Sequence, residues 1–365
     1  MAVVIALLAL FLIDAAVFRS PLYLSVLDPQ STTGSVEITH LVEARRARAA
    51  ALQVLAFGDS RMGFLPRPAT RIGAPYGVEF SSVAVPGTSP RCWYYQLRDL
   101  DPDARRFAAI LLPVDDYDDE DRAEDPADSL ADLRYAIGRL RLTDVLDFPL
   151  SFSGWYPRWV ALRGTLFKGT VYKDDLHSFL LAPYARWRTA RLYHRDYGIW
   201  VGAYQGEEGS VEGLRVDWAA RKITYPAGVT TAQQEMFRSV LLRAPAPQTG
   251  RLAEYRRKWF GRIVDHYRGT GTRVVFFRLP RGPVVRPGWL VRKRSSSIRE
   301  LAARPNVVLL DEHTFDSLER TDCFIDPLHL NVKGSELFSR MMAEQIVARL
   351  SREQGPYRVA RNAVQ

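Results

Sequence analysis

The chain has 365 residues, 47% hydrophobic and 25% charged, enough for one large core or two modest ones. Its net charge of +9 comes from 44 Arg and six Lys against 41 acidic residues, with no run of five basic residues. The densest basic pieces are Arg292-Lys293-Arg294 and Arg256-Arg257-Lys258. That pattern excludes a nucleic-acid-binding design and leaves anionic glycans or lipid headgroups as charge partners.

Residues 2–18 form an apolar stretch interrupted only by Asp14. As a helix it is about 25 Å long, against a ~30 Å hydrocarbon core. It lacks the basic leader and the small-residue cleavage site of a signal peptide, so an uncleaved N-terminal membrane helix over residues 1–20 is expected. Asp14 then lies near one end, within reach of headgroups. The localisation that follows is membrane-anchored and extracytoplasmic, at the periplasm or cell surface. A polar, extended lead-in is expected over 21–50, with a helix only from 41 to 51.

Five short apolar runs follow, at 51–57, 78–85, 108–112, 273–277 and 307–310. Runs apolar on both faces, alternating with helical patterns at 90–100, 251–268, 295–304 and 333–350, predict an α/β fold with a covered parallel sheet. Asn331 is the expected N-cap of the last helix, whose stripe includes Leu337, Phe338, Met341, Met342 and Ile346. The interval 118–250 breaks the alternation and reads as an insertion between strands three and four. It follows the acidic cluster Asp115-Asp116-Tyr117-Asp118-Asp119-Glu120-Asp121, which lacks the spacing and glycine of a calcium loop and is expected to be a solvated turn. Trp155, Tyr156, Trp159, Tyr172, Tyr184, Trp187, Tyr193, Tyr197, Trp200 and Trp218 are expected mostly to build the insertion's own core, with two or three left as exposed platforms. Residues 351–365 read as a frayed polar tail. Cys92 and Cys323 either pair or stay as two buried thiols. No metal-type Cys/His spacing occurs, so no metal or cofactor is expected.

Two motifs carry chemistry. Gly58-Asp59-Ser60 ends the first strand, and Asp326-Pro327-Leu328-His329 precedes the last helix. A hydroxyl nucleophile needs a base within hydrogen-bond reach, and that base needs a carboxylate to fix its tautomer. Ser60, His329 and Asp326 are therefore the candidate catalytic residues. Ser60 leads into a helix start, where backbone N–H groups can meet an anion. Arg61 beside it serves either a substrate carboxylate or phosphate, or a structural ion pair.

These residues resemble the SGNH/GDSL hydrolase superfamily over 51–115 and 251–350, with the insertion unmatched. The resemblance implies a flavodoxin-like α/β/α sandwich with a five-stranded parallel sheet, its hydrolase-like domain running over 51–117 and 251–350. Phe57-Gly58-Asp59-Ser60 matches the first family block, with Ser60 as nucleophile and its N–H as an oxyanion donor. Val85-Pro86-Gly87-Thr88 resembles the second block, making Gly87 the next oxyanion candidate. Asp326-Pro327-Leu328-His329 matches the last block. The third block departs: Leu112-Pro113-Val114-Asp115-Asp116 stands where the family has Gly-x-Asn-Asp. Asp115 occupies the oxyanion position, yet an ionised carboxylate accepts hydrogen bonds and donates none. Losing one oxyanion donor costs about 3–4 kcal/mol of transition-state stabilisation. The layout is similar to bacterial SGNH proteins that move acyl groups on surface polymers, such as those of alginate O-acetylation and teichoic acid D-alanylation. It implies a serine esterase or O-acyltransferase acting on an acylated glycan or a small ester, with a membrane acyltransferase as a possible partner. The alternatives are a non-catalytic glycan-binding or scaffold protein and a lipid-directed esterase.

Overall fold

The structure is a computed structural model describing residues 1–46, 51–119, 126–243, 249–286 and 295–354, with only the backbone of 200–203, 353 and 354. The chain begins with α1 (Ala2–Phe18), α2 (Pro21–Leu24) and α3 (Thr32–Arg45). Then come β1 (Leu52–Ala56), α4 (Pro66–Gly73), β2 (Val78–Ser82), α5 (Pro90–Leu100) and β3 (Ala109–Val114). Helices α6 (Ala131–Ala136), α7 (Trp155–Leu166), α8 (Gly169–Leu181) and α9 (Pro183–Ala203) lead to a hairpin, β4 (Arg215–Asp217) and β5 (Lys222–Thr224). The rest is α10 (Thr231–Leu241), α11 (Arg251–His266), β6 (Arg273–Arg278), α12 (Ser297–Leu301), β7 (Val307–Leu309) and α13 (Val332–Gln354).

The chain divides into two units, Met1–Arg46, Gly87–Pro102 and Glu124–Trp200 in the first, and Ala47–Pro86, Asp103–Ala123 and Val201–Gln365 in the second. The expected insertion at 118–250 is not a unit of its own: its first part joins the N-terminal helices, and its last part joins the sheet.

The second unit holds a five-stranded, all-parallel sheet of order β2-β1-β3-β6-β7. Numbered by the strands it contains, that is the doubly wound order 2-1-3-4-5. Alternate residues face opposite sides, as the period of two requires. Val54, Ala56, Phe80, Leu111 and Phe277 join Phe338, Met342 and Ile346 of α13 in one buried cluster. On the other face the Phe276 ring meets Phe260 of α11 edge-on at 5.0 Å. Helices on both faces explain why the strands read as unbroken apolar runs.

The acidic cluster is not a solvated turn. Asp119 is buried, accepting hydrogen bonds from the Ser297 N–H (2.6 Å) and hydroxyl (2.7 Å), and it pairs with buried Arg256 at 3.2 Å. The Tyr117 hydroxyl donates to the Leu310 carbonyl at 2.7 Å. The cluster thus fastens the segment after β3 to α11 and the start of α12. Glu120, Asp121, Arg292–Arg294 of the densest basic run, positions 47–50 of the helix expected at 41–51, and the tail from 355 lie outside the described residues.

In the first unit the expected lead-in is helical. Ser31 caps α3 by accepting from the Gly34 N–H at 3.0 Å, and Val36 and Ile38 are buried. Glu37 is ion-paired with Arg139. The expected transmembrane helix is not found, because no helix among the described residues is long and apolar enough to cross a membrane. Asp14 does not face headgroups: it is buried and accepts from the N–H groups of Lys168 (3.0 Å) and Gly169 (2.7 Å) at the start of α8. A carboxylate there satisfies orphan helix donors and complements the helix dipole. Phe18 stacks on Tyr172 at 5.4 Å, so the last turns of α1 belong to the protein body. The aromatics also depart from expectation. Tyr172 is buried, but Trp155, Tyr156, Trp159, Tyr184 and Trp187 are exposed. Cys92 and Cys323 are both buried free thiols, with no disulfide between them.

Candidate active site

The doubly wound order places β1 at a switch point, with β2 on one side and β3 on the other. Open α/β sheets put their sites beyond the strand ends at that point. Beyond β1 the backbone is stitched to both neighbours: the Phe57 N–H donates to Leu111 O (3.0 Å) and the Val85 N–H to Gly58 O (3.2 Å). Gly58 has φ +151°, and a Cβ there would sit 2.4 Å from Met62 Cγ. Only glycine fits that combination of backbone and space. Asp59 then accepts from the Arg61 N–H at 2.9 Å and caps the short 3-10 turn Ser60–Met62. Met62 is buried beneath the turn, and Ser60 is left partly exposed.

The second half of the site is a tight loop before α13. The Ile325 N–H donates to His329 O and the Asn331 N–H to Cys323 O, each at 3.0 Å. Asn331 also caps α13, its side chain accepting from the Gly334 N–H at 2.9 Å. Asp326 organises the loop from within. Its Oδ1 accepts from the N–H groups of Leu328 and His329, both at 2.7 Å. Its Oδ2 takes His329 Nδ1 at 2.7 Å. On the opposite side of the ring, His329 Nε2 lies 2.7 Å from Ser60 Oγ, a contact across 269 residues. With Nδ1–H committed to the carboxylate, Nε2 is the acceptor and the Ser60 hydroxyl donates.

The electrostatics follow. Hydrogen bonding to Asp326 raises the His329 pKa above its ordinary value, opposed by partial burial and by Arg61 and assisted by Asp59. Burial alone would push the Asp326 carboxyl up. The His329 bond and the two backbone N–H bonds outweigh it and hold the group below the usual range. Asp59 is likewise held low, because the Arg61 charge and hydrogen bonds overcome its burial.

Arg61 is an ion-pair residue. Its Nη2 meets Asp59 at 2.7 Å and its Nη1 meets Asp115 at 2.7 Å. Asp115 therefore acts as an acceptor toward Arg61, and its position beyond β3 holds the guanidinium next to Ser60. A guanidinium carries five N–H groups, and the bonds to these two carboxylates engage Nε, Nη1 and Nη2. A recess lined by Arg61, Leu279, Pro280, Phe324, Leu328 and Leu330 has a volume of about 10 Å³, room for roughly one water.

Ser60, Asp326 and His329 are thus brought together, and Asp115 joins them through Arg61. Gly87 belongs to the first unit. Its φ is +79°, and the space for a Cβ is taken by the Tyr135 hydroxyl at 2.4 Å. Tyr204 has no motif to announce it. Its ring lies 3.8 Å from where a Gly63 Cβ would stand, and its phenol is pushed up by burial and by the charges of Glu207 and Asp326. The backbone beside it is held to the site loop, the Val332 N–H donating to Glu207 O at 3.0 Å. Among the described residues no group of three or more His, Cys, Asp or Glu side chains could hold a metal ion. No family model and no curated protein matches the chain.

Proposed function

We propose that the protein is an SGNH-like serine hydrolase, an esterase or O-acyltransferase acting on acyl esters of an extracytoplasmic glycan. The observation that carries this reading is the relay from Ser60 Oγ through His329 to Asp326, with both hydrogen bonds at 2.7 Å. His329 Nε2 takes the hydroxyl proton as Ser60 Oγ attacks the acyl carbonyl carbon. Asp326 stabilises the imidazolium that forms and keeps the ring aimed. Collapse of the tetrahedral intermediate breaks the ester bond, and His329 returns the proton to the leaving sugar oxygen. Water or a second sugar hydroxyl then attacks acyl-Ser60 by the reverse route. The Ser60 N–H is the oxyanion donor that the resemblance supplies. Arg61 partly neutralises Asp59 and Asp115, so the carboxylate that replaces the family's Asn does not stand as a bare charge beside the reaction.

The glycan class rests on the resemblance to surface-polymer acylation proteins, which also suggests a membrane acyltransferase as the acyl source. The second reading is a non-catalytic SGNH relative, favoured by the single observation that Asp115 accepts where the family donates. Turnover of an aryl acetate separates the two. The reading expects measurable hydrolysis by the wild type and loss of it in Ser60→Ala, with folding unchanged by circular dichroism. Equal rates in the two proteins would discard the mechanism.

A further inference from the structure

Helices α7, α8 and α9 of the first unit carry large apolar side chains that face outward. Trp155 is 77% exposed, Trp159 54%, Tyr184 72% and Trp187 46%. At the turn between α8 and α9, Leu180 and Leu181 are 66% and 74% exposed. On α9, Tyr184, Trp187, Arg188, Arg191 and Arg195 recur at three- and four-residue spacing and are all exposed, whereas Arg186 and Ala190 turn inward. Those five residues line one stripe. The Tyr184 and Trp187 rings are 6.2 Å apart, and the Arg191 guanidinium lies 5.3 Å from the Trp187 ring centroid.

The composition of this surface selects its partner. Helix α7 has Arg158 and Arg163 and no acidic residue, α8 has Lys173 with Asp174 and Asp175, the latter paired with inward Arg186, and α9 turns Arg188, Arg191 and Arg195 outward against Asp196. Water alone gives no reason to place Trp and Leu outward, and Trp, Tyr and Arg together suit either a protein interface or a lipid surface. Amphipathic aromatic rings interleaved with Arg suit the headgroup layer of an anionic bilayer. Helix α1 points the same way. Val3, Leu7, Leu10, Leu12 and Ile13 are each at least 54% exposed, and residues 2–10 are exposed on every face, whereas Phe11, Asp14 and Phe18 turn to the body. A protein groove covers one side of a helix, whereas hydrocarbon surrounds it. Asp14, locked onto the start of α8, fixes where α1 meets the body.

We propose that the helical unit docks on an anionic phospholipid bilayer. Trp155, Trp159, Tyr184 and Trp187 sit at headgroup level, Arg188 and Arg191 meet lipid phosphates, and α1 enters the lipid. This surface is independent of the acyl-transfer reading, since every residue in it lies outside the unit that holds Ser60.

The test uses the full chain with vesicles of brominated phosphatidylcholine and phosphatidylglycerol, reading quenching of tryptophan fluorescence. The wild type is expected to be quenched, and the triple variant W155F/W159F/W187F to lose at least about half of that quenching while still sedimenting with vesicles through α1. Removing phosphatidylglycerol is expected to weaken binding about ten-fold. Equal quenching in the two proteins, or vesicle binding without quenching, would overturn the proposal. So would a lipid-free dimer that W155E/W159E dissociates, because the face would then belong to a second copy. Phenylalanine keeps an aromatic ring at three exposed positions, so the variant is expected to fold, and fluorophosphonate labelling of Ser60 reports separately on the other unit.

Discussion

His329 is bonded to one carboxylate and feels the charges of two further groups, and the balance sets its working range. Only the neutral ring accepts the Ser60 proton, and Asp326 holds the pKa above the ordinary imidazole value of about 6.5. Activity is therefore expected to fall on acidification through an apparent pKa above that value. Asp326→Ala removes the largest raising contribution, so the acid limb of the kcat/KM profile should move to lower pH while kcat drops about 10³–10⁴-fold. An unshifted limb would mean that another group titrates. Arg61→Gln tests the neutralisation of Asp59 and Asp115. It should lower kcat about 100-fold with little change in KM, as expected for an interaction made in the transition state. A loss confined to KM would instead make Arg61 a substrate-binding residue. The triad was legible in the sequence because Ser60, Asp326 and His329 stand in two short motifs whose spacing is fixed by local turns. The pairing of Arg61 with Asp115 was not, since it depends on β1 and β3 being neighbours. Tyr204 gave no signal at all, because it reaches the site through a segment between a helix and a hairpin.

At the scale of elements, burial decided what could be read. Strands covered on both faces appear as unbroken apolar runs, which made the inner β1, β3 and β6 legible; the edge strands β2 and β7 were legible as short apolar stretches although Glu79 and all of Val307–Leu309 are only part-buried. Helix α3 was hidden in its first half. Thr32, Thr33, Gly34, Val36, Ile38 and Thr39 are weak helix formers, and the helix persists through the Ser31 cap, buried Val36 and Ile38, and the ion pair of Glu37 with Arg139. The cap is local, but Arg139 comes from 102 residues along the chain. The acidic cluster misled for the same reason, since a run of Asp looks solvated until Ser297 and Arg256 arrive from far along the chain. Asp119→Ala should accordingly destabilise the sheet unit by about 3 kcal/mol, by leaving the Arg256 charge buried beside a lost partner. Urea denaturation followed by far-ultraviolet circular dichroism measures it, and a change below about 0.5 kcal/mol would show the site to be a surface turn after all.

At the scale of the molecule, the chain crosses between its two units several times. Sequence order suggests a single interruption of one domain, yet residues 87–102, between β2 and β3, pack with the N-terminal helices. That crossing is a property of tertiary contacts, and composition does not reveal it. The net charge of +9 acts at this scale too. The electrostatic share of binding to anionic vesicles should weaken as salt rises from about 50 to 500 mM, where the screening length shortens severalfold. Vesicle sedimentation across that range measures it, and an unchanged affinity would assign binding to apolar contacts alone. Covalent capture of the nucleophile tests the central claim most directly: the folded wild type treated with a fluorophosphonate, analysed by intact mass and peptide mapping. The account predicts one adduct, located on Ser60 and strongly slowed in His329→Ala. A folded protein that takes no adduct, or takes it on another residue, would contradict it.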